Sequence, residues 1–403
     1  MPNLQVVAPR IRGFICLNAH PGGCAANVGR QIAVAEQLVV GASAPAPYHV
    51  LVIGSSTGYG LSSLLTTVFG YRGRALGVCL ERPPQGDKPA SAGWYNLVAA
   101  EARARASGAS IETVNGDAYS RAVKAEVLDR LRGWGHKLDA VVYSLASPRR
   151  TDPATGETFA SVLKPLGASY SSKSINLGND QVVEVEIPPA TADDVAATVK
   201  VMGGEDWGLW IRALLDADLL GAGCRTVAYS YLGPELTYPI YRSGTIGKAK
   251  EDLERTAHAL TAELGARLGG AAFVSVNKAL VTQASSAIPV VPLYISILYK
   301  VMKAKGTHEG TIEQTVRLFR EHLARDRAPK TDEAGRIRLD DRELAPDVQR
   351  EVLRLWNEVT SDTLFDLSDY AGFKREFRQL FGFEVPGIDY GQPVDLDLAW
   401  PQP

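Results

Sequence analysis

Cysteine, long apolar runs and clustered charge are all scarce in this chain, and each scarcity removes a class of function. Only four of the 403 residues are cysteine, and Cys16, Cys24, Cys79 and Cys224 stand apart with no C-x-x-C pair. Cys79 and Cys224 lie in or beside apolar, strand-like runs, which reads as reduced core thiols. No signal-peptide pattern is present, since Arg10 and Arg12 are followed only by the short run Gly13 to Leu17. The expected location is therefore a reducing compartment, the cytoplasm. No apolar stretch reaches the length of about 20 residues that spans a bilayer, so no membrane association is expected. Lysine and arginine total 43 against 45 aspartate and glutamate, a formal net charge of -2, and the charges are spread. A nucleic-acid partner would leave a basic stripe, and none is visible. Metal chemistry also lacks its ligands. His20 and Cys24 belong to no set at ligand spacing, and His308-Glu309 lacks the second histidine of H-E-x-x-H. Internal repeats and low-complexity tracts are absent.

What is present is an alternation of apolar, β-rich runs with helical patterns. The runs are Tyr48–Ile53, Arg74–Leu80, Leu138–Tyr143, Arg225–Tyr229 and Gly270–Ser275, with Ser110–Val114 as a weaker sixth. Runs without a polar alternate face suit strands covered by helices on both sides. Helical spacing is found at about 25–41, 59–70, 92–106, 118–133, 191–202, 205–219, 245–267, 310–325 and 344–359. The pattern predicts an α/β fold, a doubly wound parallel sheet of Rossmann type. Pro148 to Val182, rich in Pro, Gly, Ser and Thr, is too long for a plain connection and reads as a functional loop or a small excursion. Residues 326–348 are charged and poor in apolar side chains, and they read as a solvated surface insertion. Asp206, Trp207 and Trp210 share a predicted helix, where the aromatic stripe reads as packing.

The nucleotide signal follows the first run. Gly54-Ser55-Ser56-Thr57-Gly58-Tyr59-Gly60 leaves a strand and opens a helix, with spacing G-x-x-x-G-x-G. Glycines there let the backbone approach a pyrophosphate, which sits on free N–H groups at the helix start. The next strand ends at Leu80-Glu81, where a carboxylate can accept from ribose hydroxyls and repel a 2′-phosphate. Arg82 follows and could instead meet that phosphate, so NADH is favoured over NADPH without excluding it. Gly116-Asp117-Ala118 and Ser144-Leu145-Ala146-Ser147 fall at later strand ends, where open α/β sheets bind ligands.

Tyr229-Ser-Tyr231-Leu-Gly-Pro-Glu-Leu-Thr-Tyr238-Pro-Ile-Tyr241 leads from a strand towards a helix carrying Lys248 and Lys250, with Ser243 or Thr245 as the expected cap. A tyrosine is a poor acid unaided, with a pKa of about 10, and a nearby ammonium favours its ionised form. The two lysines point about 200° apart on one helix, so only one can face a site. Spacing does not choose between them. Nor does it exclude tyrosines that merely pack a sheet edge and lysines on a wet helix face.

The chain resembles the trans-2-enoyl-CoA reductases and the long, V-type enoyl-acyl-carrier-protein reductases of bacteria over nearly its whole length. The resemblance rests on Pro9–Ile15, Ala19-His-Pro21, Gly54–Gly60, Tyr229–Gly233, Pro239-Ile-Tyr241, Gly247-Lys-Ala-Lys250 and Val276–Ala284. It implies a Y-x8-K pair at Tyr241 and Lys250, with Tyr241 as proton donor. It implies that Tyr231 contacts the substrate thioester and that Thr282 begins the substrate-binding helix. Cofactor contacts would come from Gly54, Ser55, Ser56, Thr57, Gly58, Tyr59, Leu80, Glu81, Asp117, Ala118, Leu145, Ala146, Lys250, Ala279, Leu280 and Val281. The family uses NADH, needs no flavin or metal, and usually acts as a monomer on enoyl-CoA or enoyl-acyl-carrier protein. It implies one extended Rossmann unit, short-chain-dehydrogenase-like, with helical embellishments forming an acyl pocket. Within that unit, 1–43 would be an N-terminal arm, 44–300 the dinucleotide-binding core and 301–403 a helical segment. Arg242-Ser243 replaces a more typical Trp-His pair, which bears on chain-length preference and rate. The expected activity is NADH-dependent saturation of the trans-2,3 double bond of an enoyl thioester. The alternatives are a carbonyl reductase with the same Tyr–Lys logic and a non-catalytic NAD(H)-sensing module.

Overall fold

The apolar runs predicted as strands all pair side by side. The computed structural model describes residues 2–13, 15–39, 48–286, 288–324 and 327–400. Seven strands form one sheet: β1 (His49–Ile53), β2 (Arg74–Cys79), β3 (Ser110–Asn115), β4 (Leu138–Tyr143), β5 (Leu220–Ser230), β6 (Ala271–Val276) and β7 (Ile337–Arg338). Their spatial order is β3-β2-β1-β4-β5-β6-β7. Every pairing is parallel. This is the doubly wound order, and its switch point lies between β1 and β4, where ligands bind in such sheets.

The helices are α1 (Pro21–Val39), α2 (Gly58–Leu65), α3 (Ala92–Ala106), α4 (Arg121–Gly133), α5 (Ala192–Met202), α6 (Glu205–Asp216), α7 (Thr245–Leu268), α8 (Val291–Ala304), α9 (Thr311–Leu318), α10 (Pro346–Glu358) and α11 (Tyr370–Gln379). Every residue of β1 and β4 is buried. Alternate side chains of β1 serve opposite layers. Val50 and Val52 pack with Val28, Leu64, Leu97 and Val316 of α1, α2, α3 and α9. Leu51 and Ile53 pack with Val127, Trp207, Trp210 and Leu260 of α4, α6 and α7. The aromatic pair of α6 is packing, as expected. The predicted helix over 25–41 begins earlier, at Pro21, and its last two positions lie outside the described residues, as does the expected arm–core boundary at 43/44.

One reading is filled in and two need correction. The stretch from Pro148 to Val182 holds most of two antiparallel hairpins, Arg149–Thr151 with Thr158–Ala160 and Tyr170–Asn176 with Gln181–Ile187. The charged segment 326–348 is not a solvated insertion. It supplies β7, and Ile337, Leu339, Asp340 and Glu343 are all buried. Its charges are paired internally, Arg338 with Asp340 at 2.7 Å and Arg336 with Asp332 at 2.9 Å, which composition alone cannot reveal. The start of α7 is capped by neither Ser243 nor Thr245. Gly244 is the cap, in close approach to the Lys164 carbonyl, where a Cβ would stand 2.8 Å from that oxygen.

A third core lies beside the sheet. There α8, buried from Val291 to Tyr299, packs with the second hairpin and with Trp356, Phe373 and Phe377 of α10 and α11.

Candidate active site

One cavity of about 730 Å³ runs along the carboxyl edge of the sheet. Six strand ends contribute to it: Gly54 after β1, Glu81 after β2, Asp117 after β3, Leu145 after β4, Tyr231 after β5 and Ala279 after β6. Tyr241, Lys250 and Thr282 complete the wall.

The glycine turn is tight because the backbone demands it. Gly54 has φ +88° and Gly58 φ +53°. A Cβ on Gly60 would stand 1.7 Å from the Gly54 carbonyl oxygen. Such contacts exclude any side chain, so α2 starts with bare N–H groups at the cavity, and this cradle fits a dinucleotide pyrophosphate. Beside it, the Ser56 hydroxyl donates to Glu81 Oε1 at 2.5 Å. Asn115 Oδ1 accepts from the Glu81 backbone N–H at 2.7 Å. The carboxylate is thereby fixed at the end of β2. The 117–119 loop is held from behind by Lys124, whose ammonium donates to the carbonyls of Ala118 and Tyr119 at 2.8 and 3.1 Å.

At the other end, Tyr241 is buried and meets Tyr231 edge to face, ring centroids 4.8 Å apart. Burial pushes the Tyr241 phenol above its ordinary pKa, with the charge of Glu343 adding to the shift. The lysine ambiguity is resolved in space. Lys248 is exposed and pairs with Glu251 at 2.8 Å, whereas Lys250 is half-buried on the cavity wall. Burial lowers the Lys250 ammonium to about 8, against a smaller opposing effect of Glu254. Beyond the phenols the wall turns apolar, with Leu163, Met202, Ile246, Ile288, Val291 and Ile295.

Of the residues singled out from sequence, Gly54, Ser56, Thr57, Gly58, Tyr59, Leu80, Glu81, Asp117, Ala118, Leu145, Ala146, Tyr231, Tyr241, Lys250, Ala279, Leu280 and Thr282 line the cavity. Ser55 and Val281 do not. The Ser55 hydroxyl donates back to Val78 O at 3.3 Å, and the Val281 N–H donates to the Tyr299 hydroxyl at 3.1 Å. The Tyr59 hydroxyl is spent internally, donating to Gln314 Oε1 at 2.8 Å. Thr282 accepts from the Ser285 N–H at 3.1 Å and so starts the short helix Gln283–Ser286. Lys278 and Glu343 escaped the sequence reading. Lys278 is a buried lysine on the wall, lowered to about 8 by burial. Glu343 is a buried carboxylate directly behind Tyr231. The family blocks quoted for the resemblance stop at Ala284, so nothing there pointed to residue 343.

Among the described residues no helix is long and apolar enough to cross a membrane, and no cluster of His, Cys, Asp or Glu could hold a metal.

Three family models divide the chain. One described as NAD(P)H binding domain of trans-2-enoyl-CoA reductase matches residues 6–86. Another, trans-2-enoyl-CoA reductase catalytic region, matches 88–324. A third, enoyl reductase FAD binding domain, matches 331–394. The residues of that last segment do not fit a flavin. None of them lines the large cavity, and the small cavity bordered by Thr331, Ala334, Gly335 and Arg336 holds about 120 Å³. Ligand pockets start near roughly 300 Å³. An enoyl-acyl-carrier-protein reductase (NADH) of Pseudoalteromonas atlantica is 52% identical, over 98% of this chain and 100% of that one. A trans-2-enoyl-CoA reductase of Euglena gracilis is 51% identical, over 98% of this chain and 73% of that one. The structure of Treponema denticola trans-2-enoyl-CoA reductase in complex with NAD superposes with a TM-score of 0.93, at 48% identity, over 96% of this chain and 97% of that one. The chain belongs to the trans-2-enoyl-CoA reductase family.

Proposed function

We propose that this enzyme reduces the trans-2,3 double bond of an enoyl thioester, CoA- or carrier-protein-linked, using NADH. The observation that carries the reading is a single cavity joining the glycine cradle to a buried phenol, a half-buried lysine and an apolar wall. NADH, when bound, supplies the hydride that adds to the substrate β-carbon. Charge then develops on the thioester oxygen, and the residues must stabilise that oxygen and supply a proton. Tyr241 keeps its proton across the neutral range because burial disfavours the phenolate. It hydrogen-bonds to the developing oxyanion and, as the general acid, supplies the proton that the α-carbon takes up to complete the saturated product. Lys250, on the wall of the same cavity, holds the cofactor ribose. Tyr231, edge-on to Tyr241, contacts the thioester. Glu81 receives the adenosine ribose hydroxyls and disfavours a 2′-phosphate. The apolar side chains past the phenols exclude water and receive the acyl chain.

We take the chain as one extended unit. The cavity wall draws on both of the first two matched segments, and the third backs it through Glu343. The assignments as a monomer and to the cytoplasm belong to the same proposal. The latter is supported by four free thiols, three of them buried.

The test follows NADH oxidation with crotonyl-CoA, with acetoacetyl-CoA as the comparison. Tyr241→Phe should lower kcat on the order of 10²- to 10⁴-fold with little change in NADH affinity. Near-normal turnover removes Tyr241 from the chemistry, and consumption of NADH with acetoacetyl-CoA alone identifies a carbonyl reductase instead.

A further inference from the structure

Glu343 lies just past β7, in the segment whose charge suggested a wet surface, yet only 1% of it is exposed. Its Oε1 accepts from two phenols, Tyr294 at 2.7 Å and Tyr231 at 3.0 Å. Its Oε2 accepts from the Ala279 N–H at 2.6 Å. Tyr231 is therefore the one partner of Glu343 for which a proton has two uses. Pointed at Glu343, it satisfies the carboxylate and leaves the Tyr231 oxygen able only to accept in the cavity. Pointed outward, it can donate to a substrate oxygen.

We propose that Glu343 is a positioning residue that sets the direction of the Tyr231 hydroxyl proton, and that the productive arrangement has the proton on Glu343. This rests on the reading that Tyr231 contacts the substrate thioester, whose oxygen needs donors.

The geometry says where that proton sits. On Oε2 it would face the Ala279 N–H, donor against donor. The Tyr294 oxygen already accepts from the Gln349 side-chain amide at 3.2 Å. A proton on Oε1 therefore goes to Tyr231, and Tyr231 turns its own proton to the cavity. Titratable and charged groups around Glu343 pull both ways. Burial, chiefly, holds the carboxyl above the usual carboxylate range, and Asp340 acts in the same sense. Lys278 opposes, although its ammonium donates to the Ala279 carbonyl at 2.9 Å rather than to Glu343. The phenols of Tyr231, Tyr241, Tyr294 and Tyr59 are raised chiefly by burial, and the Glu343 charge adds to each shift. A raised carboxyl keeps its proton to higher pH, and the productive arrangement is lost as pH rises through that value.

Glu343→Gln separates this from a structural role. The amide must turn its oxygen to the Ala279 N–H, so its NH₂ faces the phenols and donates to Tyr231 at every pH. The measurement is the kcat–pH profile with crotonyl-CoA for the parent, E343Q, Y231F and the double variant. Thermal unfolding and NADH titration serve as controls. E343Q should remove one ionisation from the alkaline fall in kcat. Y231F should lower kcat on the order of 10- to 100-fold, as loss of an oxyanion donor does. Adding E343Q to Y231F should change kcat less than about twofold, because the carboxyl acts through that phenol.

An E343Q profile that superimposes on the parent overturns the proposal, as does a tenfold loss at all pH values with folding and NADH affinity intact. Y231F turning over at the parent rate would instead remove Tyr231 from substrate contact, and the proposal with it. If E343Q does not fold, infrared spectra of the parent decide. A neutral-carboxyl band at the pH of maximal kcat that moves in Y231F supports the proposal, and its absence ends it.

Discussion

The Ser56 hydroxyl donates to Glu81 Oε1 at 2.5 Å, tying the glycine turn to the carboxylate at the end of the neighbouring strand. The same carboxylate presses on Gly93, where a Cβ would come within 2.1 Å of Oε1. Coenzyme choice thus depends on a small cradle, Ser56 on one side and the bare start of α3 on the other, holding one negative charge in place.

Glu81→Ala should therefore weaken discrimination against NADPH. A fixed carboxylate facing a 2′-phosphate is repulsive, and Arg82 next to it can pair with that phosphate once the repulsion is gone. The ratio of kcat/KM for NADH to that for NADPH should fall by on the order of 10- to 100-fold, about 1.4–2.7 kcal/mol. Gly93→Ala should move the ratio the same way, by displacing the carboxylate. An unchanged ratio in both variants would mean that selectivity resides elsewhere.

Gly60→Ala should strike the cradle itself. Its Cβ would collide with the Gly54 carbonyl, so the turn or the start of α2 must shift. NADH affinity, read by fluorescence titration, should fall about tenfold or more, each decade being about 1.4 kcal/mol. Retention of parental affinity would show that the turn yields without disturbing the bound dinucleotide.

Lys124 and Asp206 form a buried ion pair at 2.7 Å beneath the 117–119 loop, and Asp206 also accepts from the Tyr143 hydroxyl at 3.1 Å. Burial lowers the lysine and raises the aspartate, each opposed by its partner. Lys124→Met leaves a carboxyl buried without its cation and should cost about 3–5 kcal/mol in denaturant unfolding. Lys124→Met combined with Asp206→Leu should recover much of that loss. Equal destabilisation by the single and double variants would rule out the pair as the cause.

The sheet was legible because its central strands are mostly apolar, although the burial of His49 in β1 and Asp139 in β4 could not be read from composition. The glycine turn was legible because its spacing has a steric cause. Helix α8 was not, since VPLYISILYKVM shows one exposed lysine, Lys300, among buried residues, and a 3.6-residue period needs a repeated polar side to show. Its start is masked further by Val290, which takes φ +74° where a β-branched residue is a poor fit. The 326–348 segment misled because buried, paired charges and solvated ones look alike in a sequence. Spacing left the choice between the two lysines open and the family resemblance pointed to Lys250, the one that lies on the cavity wall. Sequence could place Lys248 and Lys250 on opposite faces, but only the packing of α7 decides which face meets the cavity.

That choice carries a pH signature. With the Lys250 ammonium lowered to about 8 by burial, its charge is present below that pH and lost above it. The kcat/KM profile should therefore fall as pH rises through about 8, and Lys250→Met should lower activity throughout. Lys250→Arg keeps its charge past pH 12, so whatever activity it retains should lack this fall. Stability runs in the opposite sense. The unfolded lysine titrates near 10.4, so between about 8 and 10.4 the unfolded chain binds more protons and the folded state gains as pH rises. Below about 8 the buried ammonium is a net cost, and Lys250→Met should stabilise the fold there. The gain should be about 2 kcal/mol, less than the full shift implies because the side chain is only half-buried. Slower turnover combined with a higher melting temperature at pH 7 is what a charge kept for chemistry predicts. A Lys250→Met variant that is both less active and less stable would mark the lysine as a structural residue.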